Sequence, residues 1–272
     1  MITKQYLPGI NPKGLRIALV LAGLALIASG FHYGNSAAAV APAQTNDTLL
    51  FAVGGESDFY HMDAVAVFNG RQFKPAYAEE AKEAQKSFAE KYFATGRKYR
   101  LIFGGGEAGS VTLSKWSEGC NNIHSEITTA TSARIGGQVR ALATNNDALG
   151  QRPSARRAPT EAERSAVMTL VKSIYRQRRT PANLMGSLKV TNLTATDLEG
   201  DGKYEMIGSF TLAAKNKFER DLFLISKSAG AAMRADFVNF QAYQPPPEGF
   251  LSSIDFIDQL DVDRNGVGEV FA

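Results

Sequence analysis

The stretch DLEGDGKYE, residues 197–205, and the stretch DVDRNGVGE, residues 261–269, share one pattern of residue types. Each has an oxygen-bearing side chain at positions 1, 3, 5 and 9 and a glycine at position 6. Oxygen donors at this spacing, with a glycine that permits a sharp turn, are what a short loop offers to a hard cation such as Ca²⁺. Strand-like sequence flanks both stretches, so they predict two metal-binding hairpin loops in a β-rich region.

The candidate ligands follow from the pattern. In the first loop they are the side chains of Asp197, Glu199, Asp201 and Glu205 and the backbone carbonyl of Lys203. In the second loop they are the side chains of Asp261, Asp263, Asn265 and Glu269 and the backbone carbonyl of Val267. An EF-hand is excluded, because it needs glutamate at position 12 and flanking helices, and position 12 is Gly208 in one copy and Ala272 in the other.

The first loop is expected to be the better site. Four carboxylates within nine residues repel one another, and a divalent cation would remove that repulsion. Only three residues follow the second loop, so its returning strand is short. The alternative is that both loops are acidic turns in which aspartate, asparagine and glycine serve backbone conformation alone.

The nine-residue form of these loops resembles the calcium loops of FG-GAP or VCBS-type β-repeats. The resemblance covers about residues 187–272, and its specific part is limited to the two loops. It implies that the loop tips bind Ca²⁺ and hold neighbouring strands in register. The two copies are separated by 64 residues, from Asp197 to Asp261, a spacing typical of a blade-sized repeat.

The amino terminus predicts export. Basic residues precede the apolar run Ile17–Ala28, and small residues follow at 36–43, which is the pattern of a secretory signal peptide. Residues 1–43 are therefore interpreted as a signal peptide and processing region. The alternative is an uncleaved membrane anchor formed by residues 17–31, although this run is shorter than the about 20 residues of a usual span.

The rest of the chain predicts an α+β, β-rich fold with antiparallel sheets, a meander and about two packed helices. Residues 46–148 are expected to form an α+β domain, because strand patterns surround one helical stretch. Residues 149–184 are expected to form a basic, exposed linker and a helix that begins with a capping box at Thr160–Glu163. Residues 185–272 are expected to form a β-meander that includes both acidic loops.

Composition excludes some partners. The net charge of +3 is too small to indicate a nucleic-acid partner, although eight basic residues cluster between Arg152 and Arg179. The single cysteine, Cys120, allows no disulfide within the chain. His61 and His124 lack the spacing of a metal motif and are expected to be ordinary surface or half-buried histidines.

We therefore expect an exported cell-envelope protein in which Ca²⁺ stabilises hairpin loops. A non-enzymatic binding or scaffold module for an envelope or extracellular ligand is favoured, because no nucleophile elbow, zinc motif or Ser-His-Asp order is present. An envelope hydrolase that uses Asp and Glu or a loop-bound metal is the alternative. A structural envelope protein with no ligand is a third interpretation.

Overall fold

The computed structural model describes residues 47–56, 59–78, 81–119, 122–214, 218–230, 232–243 and 254–272. The predicted export segment, residues 1–43, lies outside the described residues. Within these ranges, no helix is long and apolar enough to cross a membrane.

Seven strands of the amino-terminal half form one antiparallel sheet that closes on itself. They are β1 (Thr48–Glu56), β2 (Phe59–Phe68), β3 (Phe73–Lys74), β4 (Lys98–Phe103), β5 (Gly106–Glu118), β6 (Ile123–Thr131) and β7 (Ala141–Thr144). Their spatial order is β1-β7-β4-β5-β6-β2-β3. Because β1 also pairs with β2, six of these strands form a closed ring, and β3 is added beside β2.

Strand β1 is buried on both faces, which explains its continuous apolar run. The ring of Phe51 packs against Phe93 and Tyr99, with centroid distances of 5.8 and 4.8 Å, in a core shared with helix α1 (Lys82–Tyr92). Leu50 points to the opposite face and joins a second core. Side chains alternate along a strand, so neighbouring residues of β1 serve different cores.

The second sheet is a meander of five antiparallel strands. They are β8 (Arg156–Arg157), β9 (Leu188–Thr196), β10 (Glu205–Ala214), β11 (Phe218–Ala229) and β12 (Ala232–Tyr243), in the spatial order β12-β11-β10-β9-β8. Helix α2 (Glu161–Gln177) and a short 3-10 helix (Ala182–Ser187) precede β9. The stretch predicted to be an exposed linker thus contributes strand β8, and the Arg156 side chain is only 3% exposed.

Helix α2 begins at the predicted capping box. The Thr160 hydroxyl accepts the backbone N–H of Glu163 at 3.2 Å, and the Glu163 carboxylate accepts the backbone N–H of Thr160 at 2.7 Å. The helix buries Val167, Val171 and Tyr175 against one face of the second sheet. The prediction of this helix and of its first residues is confirmed.

The last two strands form a hairpin between the two sheets. Strand β13 (Asp258–Leu260) pairs with β14 (Glu269–Phe271). Phe271 joins the core that contains Leu50 of the first sheet, whereas Val270 joins a core with Ile207 of the second sheet. All three residues of β14 are buried, so this short strand is held by packing from both sides.

The coarse fold prediction is confirmed. The structure is β-rich, its sheets are antiparallel and it has few helices. The closure of the first sheet and the insertion of the last hairpin between the sheets were not predicted. Both depend on pairings between residues that are distant in the sequence, such as β1 with β7.

Candidate metal centre

Both acidic stretches are hairpin loops, as their sequences predict. The first loop joins β9 to β10, and Thr196 pairs with Glu205 at its base. The second loop joins β13 to β14, and Leu260 pairs with Glu269 at its base. In each loop the closing glutamate is therefore the first residue of the returning strand.

The two loops repeat the same hydrogen bonds between side chains and backbone. The position-9 glutamate accepts the N–H of position 2, the position-1 aspartate accepts that of position 6, and the position-5 side chain accepts that of position 7. In the first loop these pairs are Glu205–Leu198 at 2.9 Å, Asp197–Gly202 at 2.8 Å and Asp201–Lys203 at 2.8 Å. In the second loop they are Glu269–Val262 at 2.8 Å, Asp261–Gly266 at 3.0 Å and Asn265–Val267 at 2.8 Å.

The backbone turns at the same two positions of each loop. Position 4 has a positive φ in both copies, 69° at Gly200 and 59° at Arg264. Position 6 also has a positive φ, 81° at Gly202 and 97° at Gly266. The glycine at position 6 is required because residues with a Cβ rarely adopt this conformation. The repeated sequence therefore produces a repeated loop conformation.

The second loop brings three carboxylates together. One oxygen each from Asp261, Asp263 and Glu269 lies within 4.8 Å of the others. Ca²⁺ binds oxygens at 2.3–2.6 Å, so two ligands of one ion lie at most about 5 Å apart. The three oxygens therefore have the separation that a single Ca²⁺ requires.

The state of the Asp261 carboxylate also fits a cation. Its Oδ1 is buried and has no hydrogen-bond partner, whereas Oδ2 accepts the N–H of Gly266. A buried carboxylate oxygen without a partner is energetically costly. A cation bound between the three carboxylates would supply the missing interaction. Of the other predicted ligands of this loop, the Asn265 side-chain oxygen accepts the backbone N–H of Val267.

In the first loop the carboxylates turn towards lysines. The Lys203 ammonium lies 2.7 Å from Asp201, and the Lys227 ammonium lies 3.5 Å from Glu199. Asp197 accepts backbone N–H groups of its own loop. Among the described residues, three carboxylates close enough to share an ion are found in the second loop and not in the first. The positions of the carboxylates thus favour the second loop as the metal site, whereas the sequence favours the first loop.

Burial destabilises the charge of both closing glutamates. Burial, together with the charges of Glu199 and Asp197, raises the pKa of Glu205 to about 7. Burial, together with the charges of Asp263 and Asp261, raises the pKa of Glu269 to about 7. The backbone hydrogen bond that each glutamate accepts acts in the opposite direction. Both loops therefore place a poorly compensated negative charge at the base of a hairpin.

A positively charged side chain that the loop pattern did not predict lies beside the second loop. Arg152, in the segment predicted to be a linker, donates from Nη1 to the carbonyl of Gly266 at 3.0 Å. Its Nη2 lies 3.5 Å from Asp261 Oδ2. The loops also contact each other, because Gly268 donates its N–H to the carbonyl of Leu198 at 2.8 Å. In the sequence, Arg152 was marked only as one member of the basic cluster between Arg152 and Arg179.

His61 and His124 are half-buried, as expected, but they lie next to each other in the sheet. His61 lies on β2 and His124 on the neighbouring strand β6, and their ring centroids are 6.5 Å apart. The two residues are 63 positions apart in the sequence, so only the strand register reveals that they are neighbours.

Neither a protein-family model, nor a curated protein, nor a solved structure matches this chain.

Proposed function

We propose that the protein is an exported, non-enzymatic binding or scaffold module whose second acidic loop binds Ca²⁺. The observation that supports the proposal is the cluster of Asp261, Asp263 and Glu269, whose oxygens lie within 4.8 Å of one another. A hard, oxygen-binding cation suits such a cluster better than a softer metal does. The resemblance of the loop to FG-GAP or VCBS-type calcium loops implies the same ligand.

The position of the loop gives the ion a structural role. The hairpin that it closes lies between the two sheets, with Phe271 in one core and Val270 in the other. A cation that neutralises the loop carboxylates would stabilise this hairpin, and through it the packing of both sheets. The expected affinity is that of extracellular calcium modules, on the order of 10⁻⁴–10⁻³ M.

Calorimetric melting tests the proposal. A ligand that binds only the folded state at ten times its Kd stabilises it by about 1.4 kcal/mol, which raises Tm by a few degrees in a protein of this size. The full chain is melted in millimolar Ca²⁺, in millimolar Mg²⁺ and in chelator. A melting temperature that is equal in Ca²⁺ and chelator contradicts the proposal.

Two matched variants locate the ion. Asp263→Asn removes a charge from the second loop while keeping a side-chain oxygen, and it is expected to abolish the increase in Tm caused by Ca²⁺. Glu199→Gln removes the charge at the same position 3 of the first loop and is expected to leave that increase intact. If Glu199→Gln abolishes the increase and Asp263→Asn does not, the ion binds in the first loop and the proposed site is wrong.

A further inference from the structure

A second group of metal-ligating side chains lies on the first sheet, away from the acidic loops. His61 and Asp63 are two residues apart on β2, and Asp63 is paired directly with His124 on β6. Side chains two residues apart on a strand share a face, and directly paired residues on adjacent strands share it as well. The three side chains therefore lie on one face of the sheet.

This face is accessible to solvent. Met62, which lies between the two β2 residues and points the other way, is fully buried in the core. The side chains of His61 and Asp63 are 38% and 30% exposed. A cation can therefore reach the group without any rearrangement of the core.

Two of the three side chains are in contact, and the third lies beside them. His61 Nε2 lies 3.5 Å from Asp63 Oδ2, and the imidazole rings of His61 and His124 have centroids 6.5 Å apart. With Zn–N bonds of about 2 Å, two imidazoles on one tetrahedral ion have centroids about 5 Å apart. In the described structure the ligand atoms of the three side chains do not all lie within 4.8 Å of one another. A shared ion therefore requires the side chains to rotate and to bring the two rings about 1.5 Å closer together.

We propose that His61, Asp63 and His124 bind a divalent transition-metal cation such as Zn²⁺. Two imidazoles and one carboxylate are ligands that suit Zn²⁺, whereas Ca²⁺ takes oxygen ligands only. Three protein ligands leave one position of a tetrahedral ion open to water or to a ligand. The site is chemically distinct from the carboxylate loop.

Neighbouring polar groups orient two of these ligands. The Ser117 hydroxyl is 2.9 Å from His124 Nε2, which leaves Nδ1 as the nitrogen to bind the metal. The Asn122 amide donates to Asp63 Oδ1 at 3.3 Å, while Oδ2 is the oxygen that faces His61. Such hydrogen bonds to the far atom of a metal ligand are typical of metal sites in proteins.

Glu126 is not counted among the ligands, although it is paired directly with His61. Its carboxylate lies 3.2 Å from the ammonium of Lys115, which already supplies a positive charge. The proposed set is therefore two histidines and one aspartate.

Calorimetric titration with Zn²⁺ tests the site. The full chain is used without a histidine tag and in a Cys120→Ser background, so that neither a tag nor the thiol contributes to binding. One Zn²⁺ per chain is expected. His61→Ala and His124→Ala are each expected to weaken binding at least tenfold, and Asp63→Asn is expected to weaken it as well.

Two controls make the result decisive. The chain contains a third histidine, His32, and His32→Ala is expected to bind Zn²⁺ as the parent does. Asp263→Asn is also expected to retain Zn²⁺ binding, which separates this site from the calcium loop. Unchanged affinity in both His61→Ala and His124→Ala, or no binding by the parent at millimolar Zn²⁺, overturns the proposal.

A direct readout guards against variants that fail to fold. In a chain with both Cys120→Ser and His32→Ala, the only imidazole signals in the proton NMR spectrum are those of His61 and His124. Addition of Zn²⁺ is expected to shift both sets of signals together, with saturation at one equivalent. If neither set moves, or if only one does, the two histidines do not share an ion.

Discussion

The guanidinium of Arg156 lies 3.5 Å from the carboxylate of Asp258, and the two side chains are 3% and 0% exposed. This ion pair joins strand β8 to the hairpin that ends in the second acidic loop. Arg156 also donates to the carbonyl of Ile257 at 2.9 Å, and Asp258 accepts the N–H of Gly104 from the first sheet. The pair thus connects both sheets and the hairpin between them.

Burial dominates the electrostatics of this pair. It raises the pKa of Asp258 to about 6, and the opposing influence of Arg156 is smaller. It likewise lowers the pKa of Arg156, against the smaller effect of Asp258. The cost of removing water from each charge therefore exceeds the attraction between them. Removal of one partner would leave the other charge buried and uncompensated, at a large cost in stability.

The first prediction is that Arg156→Met lowers the free energy of unfolding by about 3–5 kcal/mol, because it leaves the Asp258 carboxylate buried and unpaired. Urea denaturation measures the change. Arg164→Met, at an exposed position of α2, is the control and is expected to stay within about 0.5 kcal/mol of the parent. A loss below 1 kcal/mol for Arg156→Met would show that water enters the site and solvates Asp258.

The second prediction concerns the pH dependence of the α2 capping box. Arg157 donates to both oxygens of Glu163, at 2.8 and 2.7 Å, and this lowers the pKa of Glu163 to about 2. The folded pKa lies below the unfolded value of about 4.3, so the stabilisation is complete above pH 4.3 and is lost as the pH falls towards 2. The full shift corresponds to about 3 kcal/mol, but solvent screening of this partly exposed pair reduces the expected effect to about 1 kcal/mol.

Glu163→Gln isolates this charge, because glutamine can still complete the capping box. Denaturation curves of the parent and the variant are compared at pH 7 and pH 3. The difference in the free energy of unfolding is expected to be about 1 kcal/mol at pH 7 and about half as large at pH 3. A difference that does not change with pH would assign the effect to packing or hydrogen bonding.

The loop conformations could be predicted from sequence because they depend on local interactions. Asp197 and Gly202 are five residues apart, and the hydrogen bond between them needs no distant partner. The choice between the loops could not be predicted in the same way. Lys227 neutralises Glu199 from a strand 28 residues further along the chain, and only the sheet register places it there.

The segment around helix α2 also combines a local feature that could be predicted with a distant contact that could not. Its capping box is a local pattern and was predicted correctly. The preceding basic residues were interpreted as an exposed linker, because charge and proline content suggest exposure. The Arg156 side chain is buried instead, because it pairs with Asp258, which lies 102 residues further along the chain.

The third prediction uses the difference between the loops at position 4. Arg264 has a φ of 59°, a conformation that residues with a Cβ adopt at a cost, whereas the first loop has Gly200 there. Asparagine tolerates this conformation better, so Arg264→Asn is expected to stabilise the protein by about 0.5 kcal/mol. The reverse test is Gly200→Ala, which is expected to cost about 1 kcal/mol. Thermal denaturation measures the change in stability of each variant. A change in the same direction in both variants would contradict the explanation from backbone conformation.

The fourth prediction is that Arg152 competes with Ca²⁺ for the second loop. Its Nη2 lies 3.5 Å from Asp261 Oδ2, so it repels a cation bound to that carboxylate. Arg152→Gln is expected to tighten Ca²⁺ binding about fivefold, since the loss of one repulsive charge near the surface is worth about 1 kcal/mol. Its cost without Ca²⁺ is expected to be below about 1 kcal/mol, because half of the Arg152 side chain is exposed.

Calorimetric titration with Ca²⁺ measures this change in affinity. Lys172→Gln alters the net charge equally at an exposed position of α2 and is expected to leave the affinity unchanged. Tighter binding in Arg152→Gln alone would show that the arginine opposes the ion through its charge. Weaker binding would show that its hydrogen bond to the Gly266 carbonyl, which holds the turn of the loop, is the more important contribution.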